Sequence, residues 1–91
     1  MKCWYDKYQK LDLRNGKIEF ISEDDEDMIE IRYKDGMLID VGYIEDDKKY
    51  YITVVKSDDF DNWNNPLAEY EVVSKNRLFD EIQKVIFKFR K

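Results

Sequence analysis

Almost every side chain here that could take part in chemistry is a carboxylate. There are 21 Asp and Glu against 16 Lys and Arg, with no histidine and a single cysteine. Carboxylates can do general acid–base work when burial or a like-charged neighbour raises one member of a pair. They can hold a hard cation, or build a negative field that draws in a basic partner. The absence of histidine excludes Ser-His and Cys-His nucleophile pairs and the usual zinc sets. Gly16, Gly36 and Gly42 stand far apart, so neither a phosphate-cradling loop nor a dinucleotide fingerprint can be assembled. Cys3 cannot make an internal disulfide and reads as an incidental thiol.

Asp58, Asp59 and Asp61 lie close together but lack the turn glycine and the twelfth-position Glu of a calcium hand. Asp24, Asp25, Glu26 and Asp27 have no ligand periodicity. Asp40 sits between Ile39 and Val41 and points the other way, with Leu38 and Gly42, toward solvent or an interface. No catalytic residue, metal or cofactor is expected from these patterns. Charge is unevenly placed: Glu19 to Asp61 holds fifteen acids and five bases, and the remainder six and eleven. Such a field disfavours nucleic acid and anionic membrane as partners and favours a basic protein.

Strands must position these groups. Lys17 to Ile21 and Met28 to Tyr33 alternate apolar and polar, the second with Ile29, Ile31 and Tyr33 on one face. Asp35-Gly36 is a two-residue hairpin signal. It leads into the central runs Met37–Ile44 and Tyr50–Val55, rich in the branched and aromatic residues that suit a pleated surface. Glu45 to Lys49 joins them. Ser57 to Pro66 reads as an irregular loop carrying Phe60 and Trp63, either tucked under it or offered to a partner. Leu67 to Val73 reads as an edge strand. From Asn76, Leu78, Phe79, Ile82, Val85, Ile86 and Phe89 form one helical stripe, with Ser74 or Asn76 as its cap. Near the start, Trp4, Tyr5, Tyr8 and Leu11 fit a short helix ended by a left-handed residue at Asn15-Gly16; a short strand followed by a hairpin turn is the competing assignment. The expectation is an α+β domain spanning 1–91: a four- to five-stranded antiparallel meander, a C-terminal amphipathic helix on one face, and a short N-terminal helix as an option.

Ninety-one residues suffice for one domain with one modest core. No signal-peptide pattern is visible, and no apolar run approaches the ~20 residues of a spanning helix. With the lone cysteine, this makes the cytoplasm the expected compartment.

The segments Ile39-Asp40-Val41-Gly42-Tyr43, Tyr51-Ile52-Thr53-Val54-Val55-Lys56 and Trp63-Asn64-Asn65-Pro66-Leu67, with the closing helix bearing Leu78, Ile82 and Ile86, resemble small bacterial immunity proteins of polymorphic toxin systems. The resemblance covers roughly the last two-thirds of the chain. It implies a non-enzymatic protein that binds and neutralises a cognate toxin domain, expected here to be a basic nuclease. An inhibitor of that kind needs a rigid scaffold, a negative field and a few aromatic anchors. The expected toxin-binding residues are Asp24, Asp25, Glu26 and Asp27, then Asp46 and Asp47, then Asp58, Asp59, Asp61 and Trp63. The alternative is a nucleic-acid mimic, of phage or mobile-element origin, that blocks a DNA-binding enzyme. A third reading is a small enzyme built on carboxylates alone. Monomer and homodimer both remain open, because the edge strand could pair with a second copy.

Overall fold

The computed structural model describes residues 8–21, 28–57 and 60–90. Five strands, β1 (Lys17–Ile21), β2 (Ile29–Arg32), β3 (Leu38–Ile44), β4 (Lys49–Val55) and β5 (Ala68–Val72), form one antiparallel sheet in sequence order. A five-residue helix, α1 (Phe60–Asn64), interrupts the β4–β5 connection, and α2 (Lys75–Phe89) closes the chain. The expected α+β meander with a C-terminal helix is therefore what forms.

Period-two alternation sorts the strands into two faces. Ile29, Ile31, Ile39, Val41, Ile52 and Val54 share the core face and are fully buried. Over them lies the stripe of α2, with Leu78, Ile82, Val85 and Ile86 buried and Phe79 and Phe89 packed more peripherally. Each fully buried aliphatic contributes about 1.5–3 kcal/mol, which is why this amphipathic helix is held to the sheet.

The N-terminal segment shares that face. Among its described residues, 8–10 form a 3-10 turn; the rest of the expected helix, with Trp4 and Tyr5, lies outside the described residues. Tyr8 and Leu11 are buried in the core, and Tyr8 packs against Phe79 with ring centroids 6.1 Å apart. Two reciprocal bonds clip the segment to α2: the Asp12 amide donates to Gln83 Oε1 (2.9 Å), and Gln83 Nε2 donates to the Asp12 carbonyl (3.0 Å).

The left-handed residue expected at Asn15-Gly16 is Asn15 (φ 75°), preceded by Arg14 (φ 53°), also left-handed. Gly16 is needed for space, since a Cβ there would stand 2.7 Å from the Tyr33 ring. Two local expectations are corrected. The β2–β3 turn is a three-residue loop, Lys34-Asp35-Gly36. The Gly36 amide donates to the Tyr33 carbonyl, the Tyr33 amide to the Met37 carbonyl, and only Gly36 takes a positive φ, 99°. The stretch 57–66 is not wholly irregular: α1 forms in it, with Asp61 in its first turn, where a negative charge meets the positive end of the backbone dipoles. The expectation failed because Asp and Asn favour turns and helix starts alike.

Candidate functional site

The meander decides which acidic residues are neighbours. The 45–48 turn closes one end of the sheet, where β1 also ends and β2 begins. The β4–β5 connection with α1 leaves from the other end, beside the β2–β3 turn. A seven-residue strand at about 3.3 Å per residue puts these ends about 20 Å apart. Asp46 and Asp47 are exposed in the first group, and Asp61 and Trp63 are exposed in the second. The structure therefore does not bring these four together. Asp24, Asp25, Glu26, Asp27, Asp58 and Asp59 lie outside the described residues.

Between the two ends lies the sheet face opposite α2. Leu38 and Val55, cross-strand partners at the α1 end, are buried there although they stand outside the core cluster. Beyond them the face turns polar. Register aligns Glu30, Asp40, Thr53 and Glu69 in one row across four strands, and Gly42, Tyr51 and Glu71 in the next. Glu30 accepts from Arg32 Nε at 3.2 Å, and Glu71 pairs with Lys49 at 3.4 Å. Those two acids carry their own counter-charges. Glu69 makes no ion pair among the described residues.

A groove of about 300 Å³ opens here, lined by Asp40, Gly42, Ile44, Tyr51, Thr53 and Glu69. Its shape follows from the sequence: Gly42 has no side chain opposite Tyr51, which leaves a depression beside the ring. The Tyr51 hydroxyl donates to Asp47 Oδ2 at 2.9 Å, tying the groove to the 45–48 turn. That bond, then desolvation, then the charges of Asp47, Glu71 and Glu69, push the phenol up to about 12. Among the described residues no three His, Cys, Asp or Glu side chains are grouped to hold a metal ion. In this lining the exposed carboxylate of Glu69 is the group offered to a cationic side chain.

Sequence reasoning singled out Asp40 but missed Thr53 and Glu69. The alternation Ala68-Glu69-Tyr70-Glu71-Val72 does signal that the β5 acids share a face. Only strand order and register set them beside Asp40. No protein family, curated protein or solved structure matches the chain.

Proposed function

We propose that this protein is an immunity protein, a non-enzymatic inhibitor that binds a basic toxin domain, here a nuclease, and neutralises it. One observation carries the reading: the sheet has one face sealed by α2 and the N-terminal segment, and the other, beyond buried Leu38 and Val55, is polar, with carboxylates on β2, β3 and β5. Strand-borne charges are held in place before binding, so their complementarity speeds encounter without an ordering penalty at contact. The exposed acids of the 45–48 turn and α1 extend the negative field beyond that face.

The test is capture of partners by the tagged protein from its producer's lysate at about 50 mM and about 500 mM salt, a range over which exposed charge interactions become screened. One basic protein retained at low salt and weakened at high salt is the expected result. Coexpression should then protect cells from that protein's toxicity. Recovery of the chain alone, or capture without protection, would overturn the reading.

A further inference from the structure

We propose that the outer edge of β5 is a docking strand, to which an extended basic segment of a protein partner adds as a further antiparallel strand. The segment carries two Lys or Arg residues at alternate positions, with an apolar residue on either side of them. This rests on the inhibitor reading and deepens it, placing the principal contact along residues 67–73 rather than in the acidic loops.

β5 pairs with β4 on one side, and no described segment pairs with it on the other. In an antiparallel strand every second residue turns its N–H and C=O away from the neighbouring strand. The edge therefore holds a row of donors and acceptors that a new strand can satisfy, and neither Pro nor Lys interrupts β5 to blunt it. The side chains supply a second, independent observation. At positions 67, 69, 71 and 73 the chain exposes Leu, Glu, Glu and Val; although apolar, Leu67 and Val73 are 53% and 72% exposed. Tyr70 and Val72, at the alternate positions, pack into the core.

This pattern selects the occupant. A second copy laid antiparallel and centred on Tyr70 would set Glu69 against Glu71, like charges that oppose the pairing. A segment reading apolar-x-basic-x-basic-x-apolar instead places a base opposite each acid and covers Leu67 and Val73. Backbone bonds then supply adhesion, and the alternate side chains supply selection. Both acids have capacity for it. Glu69 makes no ion pair among the described residues. Lys49 reaches Oε2 of Glu71 at 3.4 Å, in an exposed pair of small strength, and leaves Oε1 without a bond among the described residues. The other edge strand, β1, is not equivalent, since Lys17 and Glu19 on it pair with each other at 3.9 Å.

The test uses the whole protein, isotopically labelled, and the end-capped peptide Val-Thr-Lys-Val-Lys-Thr-Val as the probe. NMR shifts should centre on the amides of residues 67–73, and those amides should exchange with solvent more slowly when the peptide is bound. Binding should be lost when every peptide nitrogen is methylated, which keeps the side chains and removes the backbone donors. Glu69→Gln, an exposed change, should weaken binding about two- to fivefold. Glu69→Lys together with Glu71→Lys should transfer the preference to a peptide with glutamate in place of each lysine. Asp61→Asn should leave binding unchanged. Shifts centred elsewhere or scattered over the surface, binding that survives methylation, or equal affinity for the lysine and glutamate peptides would overturn the proposal. The two readings fail separately. A toxin captured equally well by the Glu69→Lys, Glu71→Lys double variant removes the docking strand and leaves the inhibitor. A peptide paired with β5 and no toxin captured leaves the docking strand and removes the inhibitor.

Discussion

Arg90, the residue after α2, concentrates more interactions than any motif suggested. Its guanidinium donates to Asp35 Oδ2 at 2.6 Å, stacks 4.2 Å from the Tyr33 ring centroid and reaches Met37 Sδ at 3.9 Å. It thereby latches the end of α2 to the β2–β3 turn. Loss of the stack in Arg90→Ala should lower stability by about 0.5–1 kcal/mol, measured by urea unfolding, with Lys at 90 restoring only part of it because an ammonium cannot stack flat. The bond from Arg90, then that from the Met37 amide, holds the Asp35 carboxyl below its ordinary range. A carboxyl lowered on folding adds stability that is present above its unfolded pKa and lost as pH falls through the folded one. The Asp35 contribution should therefore fade below about pH 4, and Asp35→Asn should flatten that limb of an acid titration. Tyr33 works at the opposite extreme. Buried, and donating to the Leu13 carbonyl at 2.7 Å, its phenol is pushed up to about 12, chiefly by burial. Since the folded value is raised, its contribution is complete below pH 10 and declines as pH climbs toward 12; Tyr33→Phe should remove that alkaline loss. Gly16→Ala drives a methyl into the same ring at 2.7 Å and should cost about 1–3 kcal/mol.

At the level of elements, α2 and β5 make contrasting demands. Ile82, on the inward stripe of α2, is fully buried, and Ile82→Ala should destabilise by about 2–5 kcal/mol in the same urea assay, the cavity adding to the lost transfer energy. β5 is an edge strand, flanked by exposed Leu67 and Val73, and so invites a second copy to pair with it. Its own sequence opposes that. In an antiparallel pairing centred on Tyr70, Glu69 of each copy would face Glu71 of the other, and like charges directly opposite are destabilising. The expectation is a monomer by analytical ultracentrifugation, with Glu69→Val plus Glu71→Val shifting the chain toward dimers. A stable dimer of the unaltered chain would refute this account of β5.

At the scale of the molecule, the loop-borne acids among the described residues do not form a single patch. Asp46 and Asp47 mark one end of the sheet, Asp61 the other, and the row through Asp40 and Glu69 runs between them. A field spread this way acts mainly on encounter, whereas residence depends on a local contact. Under the proposed function, neutralising Asp46 and Asp47 should slow association and reduce its salt dependence with little change in dissociation. Neutralising Glu69 and Glu71 should chiefly speed dissociation. Stopped-flow or surface-based kinetics with the captured partner would separate the two.

The strands, their order of appearance and the helix stripe were legible because each rests on a local period: two for Ile29-Glu30-Ile31, and the helical repeat for Leu78, Ile82 and Ile86. The two-faced character of β3 was equally visible, down to Asp40 pointing away from Ile39 and Val41. Alternation along a strand is a property of neighbours in the chain, so it can be read without knowing what the strand packs against. Which segments meet was not legible in the same way. The Asp12–Gln83 clip and the Arg90–Asp35 latch join residues 71 and 55 positions apart, and nothing local in either partner names the other. The same holds for the groove. Glu69 comes beside Asp40 only because β5 pairs with β4 in one register, and a slip of a single residue would turn its carboxylate into the core. Composition and pattern determined a small acidic α+β scaffold; strand register decided which of those acids share a row on its polar face.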